Sequence, residues 1–112
     1  EWCAGALAKL YTEMGGESLY FGKPHPPIYD LARRRLSQLD GGADLTRIIC
    51  IGDGIHTDIL GGQQEDLDSL FITGGLAAAE TQTTDMHPAG PALESYLATQ
   101  QVNPTYAIGF LR

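Results

Sequence analysis

The chain has 112 residues, 43% of them hydrophobic, which is enough to bury one core, so we expect a single domain over residues 1–112. Seven basic and fourteen acidic residues give a formal charge of −7, which argues against nucleic acid or an anionic membrane surface as the main partner. No apolar run approaches the ~20 residues of a membrane span, and no signal-peptide pattern is seen, so we expect a cytoplasmic protein.

Helical and strand patterns alternate along the chain. Apolar residues at helical spacing predict helices over residues 2–14, 28–39, 59 onward and 91–101. Short apolar or β-branched runs predict strands over residues 18–21, 48–51 and 70–73. Helices that alternate with buried strands are typical of a parallel sheet joined by crossover connections, so we predict an α/β fold.

Turn and cap residues predict where these elements begin and end. Gly15-Gly16 is expected to stop the first helix and Gly41-Gly42 the second, whereas Thr57 or Asp58 can cap the third. The polar stretch 77–89 is expected to form an irregular loop within the same domain.

The two cysteines, Cys3 and Cys50, each lie among apolar neighbours in a helical or strand pattern. Two thiols could form one disulfide, but this pattern favours buried free cysteines in a reducing compartment.

The segment IICIGDGIHTDILGG, residues 48–62, places two aspartates directly after a buried strand. Such carboxylates need solvent or a positive partner, because burying an ionised group alone is costly. In open α/β sheets, ligands bind beyond the carboxyl ends of the strands, where Asp53 stands. Asp58 alone could equally be a helix cap, but the pair favours a site, because two carboxylates can face one Mg²⁺ ion.

The segment YFGKPHPPIY, residues 20–29, places Lys23 between a short strand and a proline-rich helix entry. A lone loop lysine is usually solvated. Because a paired-aspartate motif follows a neighbouring strand, we expect the Lys23 ammonium to lie near the same sheet edge as Asp53 and Asp58.

Two other polar groups in this region receive no catalytic role. His25 is equally consistent with a substrate contact and with filling the loop. The basic run at residues 33–35, with Asp30 one turn before Arg34, is interpreted as a solvated helix face.

The pair GKPHPPIY and IGDGIHTDILGG resembles the third and fourth motifs of the haloacid dehalogenase (HAD) superfamily, specifically its class IIA phosphatase-like branch. The resemblance extends through DSLFITGGLA, covers Trp2 to about Ala78 and weakens in the tail. It implies a Rossmann-like, three-layer α/β core and a Mg²⁺-dependent phosphohydrolase of a small phosphorylated metabolite. Relatives in this branch include sugar-phosphate, nucleotide, pyridoxal-phosphate and phosphoglycolate phosphatases.

The resemblance also implies a role for each matching residue. Lys23 matches the catalytic lysine that binds phosphate and orients the nucleophile. Asp53 matches the Mg²⁺ ligand, and Asp58 matches the second acidic position, which supports the metal waters and the lysine. Gly52 lets the backbone turn at the substrate site, and Thr57 fixes the loop.

The family's first motif, an apolar strand that ends in Asp-x-Asp, has no counterpart in the expected place. In the family, the first aspartate of this motif forms a phospho-aspartyl intermediate, and the second acts as general acid and base. This chain has Asp-x-Asp only at residues 66–68, after the fourth motif, and we interpret it as a surface turn. LFITGG is similarly interpreted as the next core strand rather than the second motif.

We therefore expect the chain to be the C-terminal part of a HAD-type core that lacks the N-terminal strands and the cap domain. By itself it is expected to be inactive. Its expected partners are a small phosphorylated substrate and the missing N-terminal half, and an open sheet edge would also permit a homo-oligomer.

Two alternatives to an enzyme remain at this point. The first is a non-catalytic α/β module, metal-binding or regulatory, whose acidic strand end holds a divalent ion without chemistry. The second is an α/β unit in which Lys23 and Asp53 are merely paired. An upstream segment with an apolar strand and Asp-x-Asp would favour the enzyme.

Overall fold

The computed structural model describes residues 3–39 and 44–111. Within these ranges the α-helices are α1 (Ala4–Glu13), α2 (Pro26–Ser37), α3 (Leu60–Gln64) and α4 (Gly90–Gln100). The strands are β1 (Ile49–Gly52), β2 (Asp68–Ile72) and β3 (Tyr106–Ile108). A π-helical turn, Ile55–Ile59, precedes α3. None of the helices in these ranges is long and apolar enough to cross a lipid bilayer.

The strands of the described residues form one parallel sheet in the order β1-β2-β3. Ile51 pairs with Leu70, and Phe71 pairs with Ala107. Parallel neighbours need a crossover connection, which is supplied here by α3 between β1 and β2 and by α4 between β2 and β3. The predicted α/β fold with a parallel sheet is confirmed.

The apolar core gathers on one face of the sheet around β2. Phe71 and Ile59 are completely buried, and the Phe71 ring stacks on Tyr96 of α4 with ring centroids 6.2 Å apart. The buried apolar residues of this core are Ile55, Ile59, Phe71, Ala77 and Val102. The packing fixes the π-helical turn and α4 against the central strand, and the turn carries Asp58.

The strand predicted at residues 18–21 is wrong. This segment has no regular structure, and Leu19 and Phe21 are exposed. A strand is stable only when neighbours complete its hydrogen bonds, and no strand of the described residues pairs with this segment. The opposite error concerns β3, which was not predicted because three residues are too few to show a strand pattern.

The predicted cap of the third helix is also wrong. The helical turn begins at Ile55, and neither Thr57 nor Asp58 caps it or α3. The Asp58 carboxylate instead accepts a hydrogen bond from the backbone N–H of Gly54. The predicted end of the second helix at Gly41-Gly42 lies outside the described residues, and α2 itself ends at Ser37.

Two predictions about side chains need correction. Both cysteines are free, as expected, but Cys3 is exposed and Cys50 is only partly buried. Cys3 precedes α1, which buries none of its residues completely. Arg33 is not simply solvated, because its Nη1 lies 2.6 Å from Oε1 of Glu65, at the end of α3. The interpretation as a solvated face holds for Arg34 and Arg35, which are exposed.

Within the described residues, β1 is an edge strand with one open face. Ile49 and Ile51 are 44% and 48% exposed on that face. On the other face, Cys50 packs against α3 near Gly62. Strands of parallel sheets are usually covered on both faces, so β1 has the residues of an internal strand but the surroundings of an edge.

Candidate functional site

Asp53 follows β1 at the carboxyl edge of the parallel sheet. The backbone N–H of Leu76, in the turn after β2, donates a hydrogen bond to Oδ2 of Asp53 at 3.3 Å. A Cβ atom on Gly75 would overlap the same carboxylate, so the glycine permits this close approach. The ends of two neighbouring strands therefore hold Asp53 in place.

Asp58 lies in the π-helical turn and is only 9% exposed. Its Oδ2 accepts a hydrogen bond from the backbone N–H of Gly54 at 3.0 Å. A Cβ atom on Gly52 would overlap the Asp58 carboxylate, so only glycine allows the carboxylate to approach the strand end this closely. The turn thus returns Asp58 to the backbone directly beside Asp53.

Lys23 reaches the same point from the segment that precedes α2. Its Nζ donates a hydrogen bond to Oδ1 of Asp58, and the two side chains form an ion pair. The Lys23 side chain is 53% exposed and the Asp58 side chain 11%, so the cation faces solvent while the carboxylate is enclosed. Both oxygens of Asp58 have a donor, which offsets the cost of burying its charge.

The structure therefore brings together most of the residues predicted for the site. Lys23 contacts Asp58, and Asp58 contacts Gly52 and the backbone beside Asp53. The alternative in which Lys23 pairs with Asp53 is wrong, because the partner of Lys23 is Asp58. The chemical roles of these residues stay predictions.

His25 and the Asp-x-Asp sequence, which were given no catalytic role, make no contact with Lys23, Asp53 or Asp58 among the hydrogen bonds of the described residues. The ring of His25 stacks on Tyr20 with centroids 4.9 Å apart, which gives this histidine a packing contact in the loop. Asp66 lies in a turn with φ of 60°, and Asp68 is the first residue of β2. The Asp-x-Asp sequence is thus at the amino end of a parallel strand, opposite the edge that carries Asp53.

The side chains fit a partial Mg²⁺ ligand set. Asp53 uses Oδ2 in its hydrogen bond with Leu76, whereas both oxygens of Asp58 are engaged by Lys23 and Gly54. No group of three or more His, Cys, Asp or Glu side chains able to hold a metal occurs in residues 3–39 and 44–111. Mg²⁺ usually takes one or two protein carboxylates and completes its shell with water and phosphate. Asp53, supported by Asp58, fits that requirement.

A cavity of about 230 Å³ beside Asp53 is lined by residues to which the sequence analysis gave no site role, among them His56, Leu76 and Tyr96. Burial, followed by the charge of Glu80, raises the pKa of the Tyr96 hydroxyl. His56 Nε2 and Gln100 Oε1 are hydrogen-bonded at 2.6 Å, which joins the π-helical turn to α4. His56 lies inside the fourth motif, but no sequence signal indicates that α4 would contact it.

Residues 20–99 match the sequence model of the HAD-hydrolase-like family. The 5'-nucleotidase YutF of Bacillus subtilis (strain 168) is 30% identical over 92 residues, which are 81% of this chain and 34% of YutF. A solved haloacid dehalogenase-like hydrolase from Brucella suis 1330 is 50% identical, with a TM-score of 0.62 over 70% of this chain and 30% of that one. A structure described as a possible sugar phosphatase from Cytophaga hutchinsonii is 25% identical, with a TM-score of 0.65 over 92% of this chain and 32% of that one.

The family match includes the whole candidate site, from Lys23 to Asp58, and the solved structures share the α/β fold. The chain belongs to the HAD-hydrolase-like family, and the predicted HAD-type, Rossmann-like fold is confirmed. It spans about one third of the length of the relatives that it matches.

Proposed function

We propose that the protein is a Mg²⁺-dependent phosphohydrolase of a small phosphorylated metabolite, with phosphate and metal held at the end of β1. The contact between Lys23 and Asp58, directly beside Asp53, carries this proposal. Lys23 and Asp58 meet there, and Asp53 follows β1 at the same sheet edge, where α/β folds bind ligands. Family membership supports the proposal, as do relatives described as a 5'-nucleotidase and a possible sugar phosphatase.

Lys23 supplies positive charge for the phosphoryl oxygens. An ammonium group has three N–H donors, and the Lys23 side chain is 53% exposed while it contacts Asp58. The donors that Asp58 does not use can bind a phosphate that enters at the same edge. A cation fixed in this position stabilises the negative charge that develops during phosphoryl transfer.

Asp53 is the proposed metal ligand, and Asp58 supports it. Within the described residues, hydrogen bonding engages one carboxylate oxygen of Asp53, which leaves the other for a cation. When bound, Mg²⁺ would neutralise charge on the phosphoryl oxygens and help to orient the substrate. Gly52 keeps the strand end free of a side chain, so the backbone and the Asp58 carboxylate can lie close to the substrate.

The nucleophile is proposed to come from a segment of the protein outside this sequence. The chain spans about one third of the length of its relatives, and no strand of the described residues pairs with the outer edge of β1, which leaves room for a further strand. A strand that pairs with β1 in parallel would also end at the edge that carries Asp53. An aspartate at the end of such a strand would face Lys23 and the metal together.

The test is the release of inorganic phosphate from p-nitrophenyl phosphate by the intact protein that contains this sequence, at several Mg²⁺ concentrations. Replacing Asp53 with asparagine should lower kcat/KM by about 100-fold, because charge stabilisation made mainly in the transition state is lost. The variant should also need more Mg²⁺ for half-maximal rate.

Asp66→Asn is the matched control, since it makes the same replacement in an exposed turn at the other end of the sheet. Asparagine tolerates the positive φ of that position, so the fold should be unchanged. Equal rates for the two variants at limiting Mg²⁺ would exclude Asp53 as the metal ligand.

A further inference from the structure

We infer that Tyr29 and Gly61 are positioning residues for Lys23, because their contact fixes how α2 lies on α3. This inference rests on the proposed function, since it concerns the lysine assigned there to phosphate binding.

Few contacts hold α2 within the described part of the chain. None of its residues is fully buried, and Ile28 and Leu31 are 36% and 40% exposed. Lys23 lies just before this helix, so a displacement of α2 also displaces the lysine. The contacts between α2 and α3 therefore influence where Nζ lies relative to Asp58.

The Tyr29 ring lies directly on the backbone of α3 at Gly61, which is itself buried. A Cβ atom on Gly61 would overlap the Tyr29 hydroxyl oxygen and would lie 2.7 Å from Cζ of the ring. It would also lie 3.2 Å from Cα of Pro24, the residue next to Lys23. A side chain at position 61 must therefore push away both α2 and the segment that carries the lysine.

The contact works through shape and not through a hydrogen bond. The Tyr29 hydroxyl oxygen is buried and has no hydrogen-bond partner among the described residues. Burial, followed by the neighbouring Cys50, Asp58 and Glu65, raises its pKa, so the hydroxyl stays neutral. Because the hydroxyl makes no hydrogen bond that would stabilise the contact, packing of the ring and its hydroxyl oxygen against Gly61 accounts for it.

A second contact lies one helical turn further along both helices. Arg33 Nη1 donates a hydrogen bond to Oε1 of Glu65 at 2.6 Å, and Nη2 donates one to the Glu65 carbonyl oxygen at 3.4 Å. Tyr29 and Arg33 share one face of α2, and Gly61 and Glu65 are spaced in the same way along α3. The two contacts therefore set one relative position of the helices, and with it the position of Lys23.

The experiment measures the affinity of the intact protein for inorganic phosphate by isothermal titration calorimetry with Mg²⁺ present. It is done at a temperature where circular dichroism shows every variant to be folded. Gly61→Ala should weaken phosphate binding about tenfold, because the charged hydrogen bond from Lys23 is misplaced. Tyr29→Phe keeps the ring and should bind phosphate like the wild type. The double variant Gly61→Ala with Tyr29→Phe removes the closest overlap but leaves Cζ 2.7 Å from the new Cβ, so it should recover part of the lost affinity.

Gly62→Ala is the matched control for an ordinary packing defect. The added Cβ would lie 3.2 Å from Cys50 of β1 and would not meet α2. The variant should therefore change thermal stability and leave phosphate affinity unaltered. If Gly61→Ala does not fold, Tyr29→Ala replaces it, since loss of the ring should also weaken phosphate binding.

Three results would overturn the inference: equal phosphate affinity for the two glycine variants, no recovery in the double variant, or weakened binding by Tyr29→Phe alone. Lys23→Ala is measured in parallel to separate the two claims. Unchanged phosphate affinity in Lys23→Ala would exclude phosphate binding by Lys23 and with it the proposed function. Weak binding by Lys23→Ala together with normal binding by Gly61→Ala would remove only the positioning role.

Discussion

Lys23 and Asp58 lie 35 positions apart in the sequence and share a hydrogen bond at the carboxyl end of β1. The lysine belongs to the segment before α2, and the aspartate belongs to the π-helical turn after β1. The second oxygen of Asp58 accepts the N–H of Gly54. The same carboxylate thus holds its own loop and a distant cation, so it contributes to stability as well as to the proposed chemistry.

We expect Asp58→Asn to lower the free energy of unfolding by about 1–3 kcal/mol. The amide has one acceptor oxygen, so it can accept a hydrogen bond from Lys23 or from Gly54 but not from both. Urea unfolding followed by circular dichroism measures this change. Asp85→Asn, in an exposed part of the loop after β2, should stay within about 0.5 kcal/mol of the wild type. Matching midpoints for the two variants would mean that the contacts of Asp58 do not stabilise the fold.

The meeting of Lys23 with the fourth motif was expected from a strand before the lysine, and that reason is wrong, because residues 18–21 form no strand. The resemblance to the paired HAD motifs is what implied the meeting. The choice of Asp58 over Asp53 as the partner of Lys23 does not follow from the apolar pattern, and only the resemblance, which gives Asp58 the role of supporting the lysine, implied it. It depends on the π-helical turn, whose geometry turns Asp58 back toward Gly52 and Gly54. A pattern of apolar residues does not distinguish this turn from the start of an α-helix.

The errors in the fold also have physical causes. The apolar run at residues 18–21 has the composition of a strand, but its structure depends on a pairing partner that the described residues do not provide. β3 has only three residues, too few to show a pattern, and it pairs with the edge of β2. Pairing between strands is a tertiary property, so local periodicity could not assign either segment.

The two cysteines should differ in reactivity. Burial, followed by the charge of Asp58, raises the pKa of the Cys50 thiol, whereas Cys3 is exposed at the start of α1. A raised pKa leaves less of the reactive thiolate at neutral pH. Iodoacetamide should therefore modify Cys3 first, as followed by peptide mass mapping, and the Cys50 rate should rise only toward alkaline pH. In urea the two thiols should react alike, and equal rates in the folded protein would contradict the burial of Cys50.

The 112-residue chain by itself should show no phosphatase turnover and should associate. Ile49 and Ile51 are exposed on β1, and the outer edge of this strand, which has no partner strand in residues 3–39 and 44–111, can pair with another chain. Sedimentation velocity should detect dimers or larger species, and Ile51→Lys should reduce them. Leu39→Lys, at a similarly exposed position after α2, is the control and should reduce them less. A well-behaved monomer with Mg²⁺-dependent turnover would show that the nucleophile lies within this chain.

Hydrolysis of p-nitrophenyl phosphate by the intact protein with saturating Mg²⁺ tests most directly whether Lys23 binds the phosphoryl group at the end of β1. Lys23→Met should lower kcat/KM by about 100-fold, because it removes a fixed positive charge from the reacting phosphoryl group. Lys9→Met removes the same charge from an exposed position on α1 and should hydrolyse the ester like the wild type. Near-normal hydrolysis by a folded Lys23→Met variant would mean that Lys23 does not bind the reacting phosphoryl group.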